Sequence, residues 1–402
     1  NVESIRDFRQ NIAFNGEPIQ VLMEKIAENK SYGKNINDAY SLFNDEYYAS
    51  HGGISDIDLN AASALAREFI KTGLLSRLKI KDEFVSWFNS FSNHRNGNYY
   101  IPKEISDLLV GMADININDD VCIEWDAGAQ LGIRAIEITS KVVIENPVRS
   151  CIPLFIDILT ESDISFEICD PIINPSRVSD GKLYRYDVTL SHPPFGLKSG
   201  IYNKAVEEDW FNRFPEKTNQ GTILAIQHLL SITRKIGVIA VQDSILFSPG
   251  AGQRLRKSLI DQGVIHSVIA MPNGLMPHTN IGFSILILTP GQKNDLIRFI
   301  DLRSSNFYTG NGRVKTLTNI EKILSLVFKI GDSKYAKSIK NSEIESNSFN
   351  LSPSKYVLDS GIQSVNNILD GKKTKLLGEH IKIIRPRTHR IGVENGLEAL
   401  EI

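Results

Sequence analysis

From residue 99 to 300 short apolar runs alternate with segments of helical periodicity, and this alternation is what most restricts the fold. The strand-like runs are "VCIEWD" (121–126), "KVVIEN" (141–146), "ISFEICD" (164–170), "YDVTLSH" (186–192), "GVIAVQD" (237–243), "IHSVIAM" (265–271), "FSILILT" (283–289) and "LIRFIDLR" (296–303). Between them "AGAQLGIRAIEITS", "RSCIPLFIDILT", "NQGTILAIQHLLSITR" and "GAGQRLRKSLIDQ" read as helices. Successive βα units demand an α/β fold with a doubly wound, mainly parallel sheet. Ligands of such sheets sit at the carboxyl ends of the strands.

One of those ends is unusual. "DVTLSHPPFGLKSG" (187–200) runs from an apolar strand into two prolines and an aromatic. Each proline fixes φ near about −65° and gives up a donor. The residue before a proline is held extended. His192, Pro193, Pro194 and Phe195 therefore form a stiff tetrapeptide, either a plain strand stop or one wall of a pocket. "WDAGAQLG" and "IENP" lie at equivalent strand ends.

The flanks differ. Residues 1–95 carry apolar residues at helical spacing in "VLMEKIAENK", "INDAYSLFNDEYYASHG" and "LNAASALAREFIKTGLLSRL". The polar "FSNHRNGN" (91–98) marks a boundary. The expected organisation is a helical domain at 1–95, the α/β domain at 96–310, a polar extension at 311–370 and the start of a further unit at 371–402. A net charge of −2 gives no global field for nucleic acid, so DNA contact requires a local basic patch or a partner. Three cysteines (Cys122, Cys151, Cys169) form no CxxC, which disfavours a disulfide framework or structural metal site and fits a reducing, cytoplasmic compartment. No apolar run approaches the ~18 residues of a membrane span, so no membrane partner is expected.

Several polar residues at strand ends have both a chemical and a plain reading. Asp126-x-Gly128-x-x-x-Gly132 resembles the nucleotide-binding turn of methyltransferases, with Gln130 at the middle glycine position; it also reads as an ordinary strand–helix turn. Glu145 stands where a carboxylate grips a ribose diol, or where it complements a helix dipole. Asp170 suits an adenine amino group, or a turn before Pro171. Arg254, Arg256 and Lys257 suit phosphates, or a solvated helix face.

The order of the segments carries more than any one of them. "RNGNYYIPKEISDLLVGM", "WDAGAQLG", "VVIENP", "ICD", "YDVTLSHPPFG", "GVIAVQDSILFSPGAGQRLRKSLI", "VIHSVIAMPNGLMPHTNIGFSILILTP" and "FNLSPSKYV" follow one another. Over residues 95–357 the chain resembles the N6-adenine DNA methyltransferases that serve as modification subunits of type I restriction–modification systems, most specifically over 237–290. "KLLGEHIKIIRPR" (375–387) is similar to the opening of a target-recognition domain.

The resemblance implies a helical domain followed by a Rossmann-like, S-adenosylmethionine-dependent methyltransferase domain. It implies double-stranded DNA as substrate, with a specificity subunit or fused target-recognition domain, and a restriction subunit, as partners. By position, Ile101, Asp126, Ala127, Gly128 and Gly132 would surround the methionine part of the cofactor, Glu145 its ribose and Asp170 its adenine. His192-Pro193-Pro194-Phe195 would be the catalytic motif that holds a flipped adenine, and Arg254, Arg256 and Lys257 would touch DNA. Three positions depart from the family pattern. His192 replaces Asn, Gln130 replaces a glycine, and Ile101-Pro102 replaces Thr-Pro. Together they support a second expectation, a catalytically impaired methyltransferase-like subunit that binds DNA or a partner. A nicotinamide-dependent oxidoreductase would need the G-x-G-x-x-G that "DAGAQLG" lacks.

Overall fold

Among the described residues the strand and helix segments assemble around one nine-stranded sheet. The computed structural model describes residues 101–357, apart from 127, 148–163, 198, 277–278, 312–313 and 330. The expected helical domain 1–95, the helix expected at 149–160, Ala127, and the unit expected at 371–402 lie outside the described residues. The chain divides at Val357, and every described residue lies on the amino-terminal side of that division.

The sheet strands are β1 (Val121–Glu124), β2 (Val142–Asn146), β3 (Ile164–Ile168), β4 (Tyr186–Ser191), β5 (Thr233–Gln242), β6 (Ile265–Ala270), β7 (Phe283–Leu288), β8 (Leu296–Asp301) and β9 (Ala336–Lys340). Their spatial order is β9-β8-β6-β7-β5-β4-β1-β2-β3. The β1–β2, β2–β3, β1–β4, β4–β5 and β6–β8 pairs are parallel. Only β7 and the edge strand β9 run the other way. The sheet is thus mainly parallel, as the alternation requires.

Side-chain alternation along the strands splits the core into two layers. On β5, Val238 and Ala240 join the apolar cluster under α1 (Lys103–Met112) and α2 (Gln130–Ala135). Ile239 and Val241 join the cluster on the other face, with α3 (Asn203–Glu207), α4 (Gly221–Ile232) and α5 (Ala251–Asp261). Helix α1 is amphipathic, with Ile105, Leu108, Leu109 and Met112 turned inward. The first layer does not stop at 310. Ile323 and Val327 of α6 (Ile320–Phe328) and Ala336 of β9 belong to it. The expected boundary at 310 therefore falls inside one continuous core.

Strand β1 lies between β2 and β4. The chain winds outward from β1 to β3, then returns to β4 on the opposite side of β1. This reversal of strand order makes the carboxyl ends of β1 and β4 the switch point of the sheet, where ligands of such folds sit.

Candidate active site at the sheet switch point

Beyond β1 the backbone turns sharply. Trp125 and Ala129 both adopt left-handed φ values, +58° and +53°, which non-glycine residues rarely do. Asp126 holds the turn together: its Oδ2 accepts the Gly132 N–H at 2.8 Å. Its Oδ1 is buried without a partner. Burial pushes this carboxyl up to about 7, and the backbone donors of the turn hold it back from rising further.

The two glycines are used by the chain itself. A Cβ on Gly132 would lie 2.6 Å from Ile144 Cδ1, so this glycine lets α2 settle onto β2. A Cβ on Gly128 would lie 2.3 Å from Gln130 Oε1, so the Gln130 amide occupies the space above the loop. Gly132→Ala is expected to cost about 1–3 kcal/mol by overpacking. Denaturant unfolding checks this; an unchanged midpoint would mean Ile144 yields freely.

At the end of β2, Glu145 is buried, and its Oε1 accepts from Ser176 N (3.2 Å) and Ser176 Oγ (2.5 Å). Its Oε2 has no partner, and burial raises its pKa. After β3, Asp170 Oδ1 accepts from the N–H groups of Ile172 and Ile173, and Oδ2 from the Tyr202 hydroxyl at 3.3 Å. Asp170 is thus built into the turn before it meets any ligand. Ile101 is fully buried in the apolar layer, and its side chain offers no polar atom.

At the end of β4 stands His192. Its N–H donates to the Glu124 carbonyl at 3.2 Å, tying the motif to β1. The ring is 2% exposed, and neither Nδ1 nor Nε2 has a partner. Burial alone lowers its pKa to about 4, so the imidazole is neutral at physiological pH. The Phe195 ring lies 5.6 Å from it and 5.5 Å from Phe283 of β7. Pro193 is buried, and Pro194 and Phe195 are half-buried.

The basic helix differs from expectation. Arg256 is 3% exposed, and its guanidinium donates to the carbonyls of Phe349, Ile245 and Ser248. It ties α5 to neighbouring loops and is not available to a phosphate. Arg254 is exposed but forks onto Glu216, and Lys257 pairs with Asp261.

Sequence reasoning missed four polar residues behind these strand ends: Glu124, Ser191, Arg213 and His228. All four are buried. The signal for His228 was a polar residue inside the apolar "ILAIQHLLSI". For Arg213 it was a cation between two phenylalanines, and its guanidinium lies 4.5 Å over the Phe214 ring.

Buried polar atoms are normally paired. Here Asp126 Oδ1, Glu145 Oε2, Ser191 Oγ and both ring nitrogens of His192 are not, and all sit at the carboxyl ends of β1, β2 and β4. The carboxylate oxygens and the hydroxyl are partners for a ligand with cationic groups and a diol, which leaves the imidazole for a second ligand. S-adenosylmethionine has cationic groups and a diol, so the residues present fit it, provided the Gln130 amide swings off Gly128.

The model of the N-6 DNA Methylase family matches residues 156–364 of the chain, just over half of it. The type I restriction enzyme MpnII methylase subunit of Mycoplasma pneumoniae is 22% identical over 89% of this chain and 72% of its own length. The MjaVIII methylase subunit of Methanocaldococcus jannaschii is 25% identical over 65% of this chain, which spans only 50% of that relative. Among solved structures, a type I restriction–modification methyltransferase subunit from Streptococcus thermophilus superposes with a TM-score of 0.69 at 18% identity, covering 88% of this chain and 79% of that one. At that identity the likeness establishes the fold.

Proposed function

Because the chain belongs to the N-6 DNA methylase family, we propose that it is the modification subunit of a type I restriction–modification system and methylates the N6 amine of an adenine flipped out of double-stranded DNA. The observation that carries this reading is His192: a neutral imidazole with two unpartnered nitrogens, in a Pro-Pro-Phe motif, at the switch point of the sheet.

The chemistry follows from the amine. Its lone pair is delocalised into the purine ring, so it is a poor nucleophile until its N–H bonds are held. A ring nitrogen of His192 accepts one N–H, and the Pro193 carbonyl accepts the other. The lone pair is then drawn out of the ring and towards the methyl donor. Phe195 stacks on the extruded base and offsets part of the cost of unstacking it. The exocyclic nitrogen sheds a proton as it is methylated, and the accepting nitrogen of neutral His192 takes that proton. A cationic imidazole would repel the charge developing on the amine, so the depressed pKa keeps the site usable.

S-adenosylmethionine, when bound, supplies the electrophilic methyl group. Glu145 Oε2 would hold its ribose, Asp170 its adenine, and Asp126 and the Gly128–Gly132 loop its cationic methionine part. Asp126 makes binding pH-dependent. Its carboxyl holds a proton more tightly in the folded chain than in the unfolded one, so its contribution to folding is complete below the ordinary carboxylate range and is lost as pH climbs through about 7. The cationic cofactor favours the ionised form, so affinity is expected to rise by up to about tenfold over the same window. Calorimetric titrations across that window should show the rise in the native chain and not in Asp126→Asn, whose Oδ1 still accepts from Gly132. A flat native profile would remove Asp126 from the cofactor's surroundings.

The near-neutral charge means that DNA affinity comes mainly from an assembled complex with a specificity subunit or fused target-recognition domain, and with a restriction subunit. Among the described residues no helix is long and apolar enough to cross a membrane. The test is genomic. Deleting the gene should abolish N6-methyladenine at one target sequence, and restoring it should bring the mark back. An unchanged methylation map would contradict the enzyme reading.

The packing of Gln130 onto Gly128 favours a second reading, a methyltransferase fold retained for docking without chemistry. Gln130→Gly separates the two. In an enzyme it should tighten cofactor binding several-fold. In a docking subunit it should change nothing.

A further inference from the structure

Behind these strand ends lies a buried polar cluster whose members Glu124, His228 and Arg213 take no part in the proposed methyl transfer. Glu124, Glu145 and Ser191 stand side by side in register at the ends of β1, β2 and β4. Alternation turns them towards the sheet face covered by α4. His228 of α4 meets them, with Nε2 3.0 Å from Glu124 Oε1 and both side chains fully buried. The distance is that of an ion pair, although the two atoms are off the line of a hydrogen bond.

The other side of the imidazole fixes its proton. His228 Nδ1 lies 3.1 Å from Arg213 Nη1. A guanidinium only donates. Nδ1 must therefore accept, and the ring carries its proton on Nε2, the nitrogen nearer Glu124. This tautomer argues against a metal ion. Ligand atoms of Glu124, Glu145 and His228 do gather within 4.8 Å of one another, but Nε2 has no lone pair left to give.

Arg213 holds more than the ring. Nη1 donates to the Pro171 carbonyl at 3.2 Å and Nη2 to the Ile172 carbonyl at 2.8 Å. Those two residues form the turn that begins at Asp170. Its Nε reaches Asp209 Oδ1 at 3.4 Å, and Asp209 Oδ2 accepts from Phe214 N. At the far end of the relay, the main chain of Glu124 accepts the His192 N–H. One buried guanidinium therefore joins the turn after β3 to the strand end that carries the His-Pro-Pro-Phe motif.

We infer that Arg213 is a positioning residue: through His228 and Glu124 it sets the spacing between the Asp170 turn and His192. Its functional meaning rests on the proposed methyltransferase reading, in which those two segments hold the cofactor's adenine and the target amine. The reacting groups must be placed to within a fraction of an ångström, and a misplacement of about 1 Å can cost about 10²-fold in rate.

The test does not depend on turnover. Hydrogen exchange in the full chain is followed at the amides of Ile172 and His192 for Arg213→Lys, His228→Leu and His228→Gln. Lysine cannot fork onto two carbonyls and an imidazole, and leucine cannot relay. Glutamine offers one acceptor and one donor on a chain of similar reach. Arg213→Lys and His228→Leu are expected to speed exchange at both amides by about tenfold or more, leaving α1 protected. His228→Gln should restore most of the protection. In the methyl-transferring complex the same two variants should lower kcat about 10²-fold at saturating DNA and cofactor, with glutamine again recovering part of it. Unchanged exchange at Ile172 and His192, or an equal rise throughout the domain, would overturn the inference. If exchange responds as expected but the native complex transfers no methyl group, the relay stands and the methyltransferase reading fails.

Discussion

Replacing His192 with alanine is expected to lower the proposed methyl transfer by about 10²–10³-fold, the cost of removing one positioned hydrogen-bond partner from a desolvated reacting centre. The loss falls on kcat. In the proposed mechanism the imidazole meets the target amine and not the cofactor, so cofactor affinity should stay near native. His192→Asn gives the decisive contrast. Asparagine returns the acceptor type usual in the family, and its carbonyl reaches the amine without the bulk of a ring. Transfer by this variant should equal or exceed the native rate. Labelled methyl incorporation into cognate DNA by the assembled complex measures both variants. Native activity in the alanine variant would remove His192 from the chemistry. Failure of the asparagine variant, with cofactor binding intact, would mean the pocket has been reshaped around the imidazole.

The second large effect is on stability. Phe283 is 1% exposed on β7, the antiparallel strand wedged between β5 and β6. Its ring also packs against Phe195. Truncation to alanine should cost about 3–5 kcal/mol, because the six-residue strand is buried throughout and its neighbours cannot collapse into the space. That is a large part of the roughly 5–15 kcal/mol by which a domain is stable. Phe195 would lose its backing in the same variant, so the His-Pro-Pro-Phe motif should loosen before the domain unfolds. Denaturant unfolding gives the first quantity, and proteolysis within 195–200 at low denaturant the second. A cost under about 1 kcal/mol would contradict the packing argument.

Much of this was legible in the residues. The alternation of apolar runs gives the parallel sheet, and Pro193 and Pro194 mark the strand end at its switch point. The basic helix could have been read better. Gly252, Leu255, Leu259 and Ile260 define its inner stripe, and Arg256 falls on that stripe while Arg254 does not. The periodicity thus already placed Arg256 inside. The roles of Gly128 and Gly132 were hidden for another reason. A glycine reports that something approaches closely, but whether that is a ligand, Gln130 or Ile144 depends on packing. The Arg213–His228–Glu124 relay was beyond local reading. Its members come from a loop, a helix and a strand separated by up to 104 positions (Glu124 to His228), and no short-range pattern joins them.

The proposed function requires S-adenosylmethionine to bind at the carboxyl ends of β1 and β4. Calorimetric titration of the full chain with that cofactor tests it without a specificity partner, which a methylation assay would need. Saturable one-to-one binding at micromolar concentrations, weakened in Glu145→Gln, is the result expected. No heat of binding up to millimolar concentrations, in both the native chain and Gln130→Gly, would contradict it.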